Sequence, residues 1–391
     1  MVMVRPEVSK GHHDMTDAVL REQFPILETS TYLVNHSMGA APLGAKRALE
    51  SYFNEWANEG PEAWEQWLPA IGEIADGIGQ IIGAPRGSIF LGPNVSTLQA
   101  ALASCLRFTP QRNEVVYEAL QFPSLTYVWT EWQRYGAQPR IIPSDDGRTI
   151  PTERIIDAIT ERTVIAVLSH AYYVSGALAD VRAIQEHCRK TGTLLCVDAY
   201  QTTGVYPYDV TQWDLDIVTG GSHKWLCGGP GCGWIYVKPE LREQFEPAVT
   251  GWMAHARPFS FEPAPMTWAP TMYRWGNGTP TIPGYLVARP GHDLIKEVGV
   301  QKIREHNVRL TTLIAQTALE RGLQVNTPLD PEKRTGWIGI DFPESERVYH
   351  ELVNRRVFVD YRPGCGLRVS PHFYTTEDEI HRLFATLEEL T

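Results

Sequence analysis

The 391-residue chain is predicted to adopt an α/β fold, a large domain on a mostly parallel central sheet plus a smaller α+β domain. Three observations point there. The length suits two or three domains of ~150 residues each. From about residue 85 to 240, short apolar strands alternate with helical stretches, the pattern of a parallel sheet covered by helices. Helical pattern then dominates from Pro283 to about Arg321, and a compact unit of strands and helices follows.

Taken in order, the candidate strands of the first region are Val115–Glu118, Arg140–Pro143, Val164–Ser169, Leu194–Val197 and Asp216–Thr219. Candidate helices begin after Ser124, Pro151 and Asp180, each a cap or first-turn residue. The stretch HARPFSFEPAPMTWAP (His255–Pro270) is too rich in proline for a regular element and reads as a long surface loop or lid. The last unit runs strand Gly336–Phe342, helix Glu344–Arg356, strands Val357–Tyr361 and Leu367–Ser370, and helix Thr376–Leu390. Thr375 or Thr376 with Glu379 forms a capping box for that helix. Residues 35–280 are expected to form the large domain, and residues 1–34 with 281–391 the small one.

Composition narrows the function. With 43% apolar and 21% charged residues, 32 Gly and 28 Pro, the chain is neither disordered, collagen-like nor coiled-coil. A net charge of −11 argues against an unaided grip on nucleic acid. No apolar run reaches the ~18 residues needed to span a membrane. The first residues lack the apolar core of a secretory signal, so a cytoplasmic location is expected. Six cysteines in so long a chain do not make a disulfide framework. Cys227 and Cys232 have no second pair at zinc-like spacing, and His12-His13 reads as solvated, so no metal is expected. GGPGCG precedes the strand WIYV rather than a helix, which excludes a dinucleotide fingerprint.

The chemistry concentrates in Leu194–Val237. Asp198 ends one predicted strand, and Lys224 lies just beyond another, before the turn Gly228-Gly229-Pro230-Gly231. Singly, a strand-end Asp is more often a helix cap and a lone Lys is usually solvated. A lysine after an apolar strand, wedged between GGSH and WLCGGPG, is less easily dismissed, because an amine shielded from water can lose its proton and attack an aldehyde. Pyridoxal 5'-phosphate (PLP) needs this set: a Schiff-base lysine, an acid on the pyridine nitrogen and phosphate donors. In LGPNVSTLQAAL (Leu91–Leu102) a helix opens with free N–H groups beside Ser96 and Thr97, which would hold a dianion.

The order NVST, FPS, DxxQ, SHK and a late LRVS resembles the class V aminotransferase superfamily of PLP enzymes, fold type I, from about Tyr32 to the C-terminus. VNHSMGAAP (Val34–Pro42), GGPG, TGWMAH (Thr250–His255) and RWGNGTP (Arg274–Pro280) are most similar to its kynureninase branch. The resemblance implies that Lys224 carries PLP, Asp198 pairs with the pyridine nitrogen, Phe122 stacks on the ring and Gln201 bonds the phenolic oxygen. It implies phosphate contacts from Val95, Ser96, Thr97, Ser222 and His223, with Trp252 and Thr279 reaching across the interface of a homodimer with shared active sites. Its substrate is an amino acid, with His36 and Asn277 beside it and Arg368 on its carboxylate. A planar guanidinium suits that last task, and the alternative for Arg368 is a surface ion pair.

The kynureninase-like outcome is hydrolysis of the substrate's Cβ–Cγ bond. Three positions depart from that branch: Gln201 stands in place of His, His223 in place of Tyr, and Leu125 follows FPS where an acid is usual. An aminotransferase and a β-lyase of C–S type are the alternatives. Cys365 lies too close to Arg368 to be a desulfurase nucleophile and reads as a packing residue in a turn. A non-catalytic scaffold of the same fold is the rival of another class, which the presence of Lys224 opposes. Of the 12 tryptophans, Trp252, Trp268 and Trp275 flank the proline-rich loop and serve either the core or a substrate pocket, as do Tyr172 and Tyr173.

Overall fold

The computed structural model describes residues 20–391, so His12, His13 and the rest of residues 1–19 lie outside the described residues. In chain order the strands and the α-helices longer than a single turn are β1 (Thr31–Tyr32), α1 (Leu43–Glu59), α2 (Trp64–Ile82), β2 (Ile89–Gly92), α3 (Val95–Ser104), β3 (Glu114–Glu118), α4 (Pro123–Glu131) and β4 (Gln138–Ile142). Next come α5 (Thr152–Ala158), β5 (Thr163–Ser169), α6 (Val181–Thr191), β6 (Leu194–Asp198), β7 (Ile217–Gly221) and β8 (Gly233–Val237). The remainder is α7 (Ile282–Val298), α8 (Val300–Glu320), β9 (Gln324–Val325), β10 (Ile338–Asp341), α9 (Ser345–Asn354), β11 (Val357–Phe358), β12 (Asp360–Arg362), β13 (Gly366–Val369) and α10 (Glu377–Leu390).

Among the described residues, the large sheet has seven strands in the order β2-β8-β7-β6-β5-β3-β4. Pairings from β4 through β7 are parallel, and β8 runs antiparallel to both β7 and β2. The interior strand β5 (TVIAVLS) is buried along its whole length, as a strand covered on both faces must be, and so shows no polar alternation. One face packs on α2 through Trp67, Ile71, Ile74 and Ile78, spaced three or four apart along a single helix face. The other face meets α3 and α4 through Leu98, Leu102, Leu125 and Trp129. Asp180 caps α6, accepting a hydrogen bond from Ala183 N at 3.0 Å.

The smaller sheet, β12-β13-β10-β9, is antiparallel and is covered by α8, α9 and α10. The expected single strand Val357–Tyr361 divides in two. Its first half, β11, pairs in parallel with β1, while β12 pairs with β13. Buried Val359 marks the switch, and a run of apolar residues carries no sign of which strand it will pair with. The capping box of α10 forms at Thr376, whose side chain accepts from Glu379 N while Glu379 accepts from Thr376 N. Residues 255–270 hold only a short 3-10 turn at Pro258–Ser260 and an isolated bridge between His255 and Trp268. All six cysteines are free, Cys365 is buried, and no described helix is long and apolar enough to cross a membrane.

Candidate active site

The carboxyl ends of the central strands bring the site together. On β5 and β6, Ser169 lies opposite Asp198, and on β7 Thr219 flanks Asp198 from the other side. Asp198 is buried, and its Oδ1 accepts a hydrogen bond from Tyr200 N at 3.0 Å. Burial pushes its carboxyl up to about 6, against the opposing pull of the Tyr200 N–H and of Lys224. Lys224 follows β7, with Nζ 5.6 Å from the Phe122 ring centroid and 5.3 Å from that of Tyr200. Desolvation pulls its amine down to about 8, an effect that Asp198 partly opposes.

Two glycines make room for this turn. Gly39 N donates to His223 O at 2.8 Å, and a Cβ on Gly39 would lie 2.2 Å from Lys224 O. A Cβ on Gly221 would lie 2.3 Å from the Tyr200 ring. Neither position tolerates a side chain without moving the lysine turn or the cavity wall. Gly39 lies within VNHSMGAAP, but its role was not legible there because it acts through its own backbone on a residue far away in sequence.

Asp198 and Lys224 line a cavity of about 200 Å³ together with Val95, Ser96, Phe122, Gln201 and His223, all predicted from sequence. Leu125 and Tyr173 are also in its wall. Asn94 of NVST and Ser124 of FPS also line it, and Ser169, Ala171 and Tyr200 complete it without a sequence signal beyond their neighbourhood to the motifs. A larger groove of about 630 Å³ between α1, α2 and α7 bears Arg47, Glu55, Glu73 and Arg289 but no lysine, so its size does not make it the site of amine chemistry.

Other expected residues stand elsewhere. Thr97 Oγ1 donates to Asn94 Oδ1 at 3.1 Å and, with Asn277, Thr97 lines a separate cavity beside β2. Ser222 Oγ is taken up by His292 Nε2 at 2.8 Å. Asn277 Oδ1 accepts from Gly278 N at 2.8 Å, and Thr279 is exposed. Trp252 packs edge-on against Phe259 and stacks on Phe261. A single chain therefore does not bring Thr97, Ser222, Trp252, Asn277 or Thr279 into the Lys224 cavity. Trp275 is a core residue packed on Phe245, and Tyr172 is likewise buried in the core, so neither lines the Lys224 cavity.

His36 and Arg368 form the layer next to the cavity. His36 is buried, its Nδ1 2.7 Å from Ser370 Oγ, and its carbonyl accepts from Gln201 Nε2 at 3.2 Å. Burial, reinforced by the Arg368 charge, holds its imidazole down at about 3, so it is neutral. Arg368 Nη1 donates to the carbonyl of Tyr173 at 2.7 Å, Nη2 bonds Asp360, and Nε has no partner. Arg368 is 3% exposed, so its ion pair is buried rather than a surface one.

The residues around the cavity fit PLP. A deprotonable amine faces a buried carboxylate across a slot rimmed by the Phe122 ring, with Gln201 also in its wall. Asn94 Oδ1 accepts from Thr97 N at 3.0 Å, which leaves the first turn of α3, at Val95 and Ser96, turned to the cavity. A helix N-terminus of this kind suits a phosphate dianion.

The description "Aminotransferase class-V" belongs to the family model that matches residues 32–383. An uncharacterized aminotransferase of Bacillus subtilis, YcbU, is 30% identical over 92% of this chain and 94% of its own length. A kynureninase of Pseudomonas fluorescens is 27% identical over 95% of this chain and 92% of its own. Among solved structures, a lysine mutant of C-DES with glycine covalently linked to its PLP cofactor superimposes with a TM-score of 0.85 at 20% identity, covering 94% of this chain and 98% of that one.

Proposed function

Since the chain belongs to the class V aminotransferase family, PLP-dependent enzymes of fold type I, we propose that it binds PLP in the Lys224 cavity and acts on an L-amino acid, hydrolysing its Cβ–Cγ bond in the manner of kynureninase. The juxtaposition of Lys224 and Asp198 at the carboxyl edge of the sheet, in one cavity, is the observation that carries this. We assign Lys224 to the cofactor's aldehyde carbon, Asp198 to its pyridine nitrogen, Phe122 to its ring face and Gln201 to its phenolic oxygen. The first turn of α3 at Val95 and Ser96, with His223, takes the phosphate. Thr97 and Ser222 fall outside this set because their hydroxyls are engaged elsewhere.

When bound, PLP supplies an electron sink for a carbanion at the substrate's Cα. Lys224, with its proton held only to about pH 8, is poised to take the Cα proton and return it nearby. Arg368 grips the α-carboxylate, and His36 backs Gln201 from behind. The net reaction adds water across Cβ–Cγ: hydroxyl goes to the acyl carbon and a proton to Cβ, releasing alanine and a carboxylic acid. Asn277, Thr279 and Trp252, set apart from their own chain's cavity, serve the site of a second copy in a homodimer.

The kynureninase-like pieces VNHSMGAAP, TGWMAH and GNGTP support this outcome, as do the kynureninases among the relatives. Gln201, His223 and Leu125 weaken it, and the likeness to YcbU favours a second reading, an aminotransferase. Incubation of the PLP-loaded protein with L-kynurenine and no keto acid decides between them. Stoichiometric alanine and anthranilate are expected. Conversion of the cofactor to its pyridoxamine form without alanine would establish the aminotransferase, and no change would remove kynurenine as substrate.

A further inference from the structure

The guanidinium assigned to the substrate is already in contact with a carboxylate. Asp360 on β12 and Arg368 on β13 are direct cross-strand partners, so the strand register holds the acid against the arginine. Asp360 and Arg368 are both nearly inaccessible, at 7% and 3% exposure. Beyond its bond to Arg368 Nη2, Asp360 has Oδ1 3.3 Å from Arg362 Nη1 and Oδ2 3.4 Å from His36 Nε2. Burial works against the anion, but the hydrogen bond with His36 and the charge of Arg368 hold the carboxyl well below the usual range.

Arg368 itself is not saturated. Of its five N–H donors, the Tyr173 carbonyl and Asp360 engage Nη1 and Nη2, while Nε is buried without a partner. The contact with the carbonyl of Tyr173, a cavity-wall residue, sets the guanidinium beside the cavity. A second carboxylate arriving there must share the guanidinium with an anion held by two further contacts. Like charges on one guanidinium repel in a site this dry.

We propose that Asp360 is a positioning residue that stands in for the substrate's carboxylate: it keeps Arg368 aimed and charged in a buried site, and it competes with the incoming α-carboxylate. This rests on the assignment of Arg368 to that carboxylate. The neutral, isosteric Asn retains an acceptor for Arg368 and removes the competing charge. Asp360→Asn is therefore expected to bind amino acids more tightly while leaving amines that lack the carboxylate alone.

The test is calorimetric titration of PLP-loaded protein with L-alanine and, separately, ethylamine. In Asp360→Asn the Kd for L-alanine is expected to fall by roughly tenfold, equivalent to about 1.4 kcal/mol, with the ethylamine Kd unchanged. Arg368→Gln is expected to weaken L-alanine alone. An L-alanine Kd in Asp360→Asn that is unchanged, weaker or too weak to measure overturns the proposal, as does an equal gain for both ligands. Loss of the L-alanine preference in Arg368→Gln, with no gain in Asp360→Asn, leaves the carboxylate assignment standing and removes only the role of Asp360. An Arg368→Gln protein that binds L-alanine like the wild type removes the assignment itself. Should Asp360→Asn fail to fold, Asp360→Ser is read by the same criteria.

Discussion

Burial shifts Lys224 and Asp198 in opposite directions, the amine down to about 8 and the carboxyl up to about 6, because leaving water disfavours whichever form is charged. Glu118, at the end of β3, obeys the same rule. It is fully buried, its Oε1 accepts from Ser169 N at 2.6 Å, and its Oε2 has no partner. Burial carries it from the ordinary 4.5 to about 7, with the Asp198 charge adding to the rise. A carboxyl raised on folding leaves stability intact below pH 4.5 and erodes it as pH climbs from 4.5 to 7. At 1.36 kcal/mol per unit the upper bound is roughly 3 kcal/mol. Glu118→Gln, which keeps the acceptor for Ser169, is accordingly expected to raise the urea midpoint at pH 8 and to change it little at pH 4.5. An equal change at both pH values would show that the carboxyl's charge is not the cause. Glu118 gives no signal in sequence, because an acid ending a strand looks the same whether solvated or buried.

Helix starts were the most legible elements, since a cap is a local event written in adjacent residues. Asp180 and the Thr376–Glu379 box both form where their spacing predicts. Thr376→Ala removes the side-chain half of that box and is expected to cost about 1 kcal/mol in a urea melt, with turnover unchanged because α10 lies away from the cavity. A fall in turnover at constant stability would tie α10 to the site. Strand partners were not legible. Asp360 belonged to an unbroken predicted strand, and only its pairing with β13 sets it against Arg368. An acid inside a strand, where acids are depleted, was the available hint. At the lysine turn, Gly39→Ala forces a Cβ to within 2.2 Å of Lys224 O. It is expected to weaken PLP binding in an absorbance titration, with wild-type affinity the contrary result.

For the whole molecule, the motifs NVST, FPS, DxxQ and SHK converge on one cavity because each closes or follows an element at the same sheet edge. Trp252, Asn277 and Thr279 do not join them, and sequence order alone could not say whether they serve their own chain or another. If they serve another, Lys224→Ala and Asn277→Ala are each inactive alone, and a refolded mixture regains activity because mixed dimers hold one intact site. No recovery, with dimers present, would place Asn277 at its own chain's site instead. The central claim is that Lys224 carries PLP. Borohydride reduction of the PLP-loaded protein, followed by peptide mass mapping, tests it most directly: the pyridoxyl mass is predicted on Lys224, and its recovery on another lysine, or on none, would contradict the account.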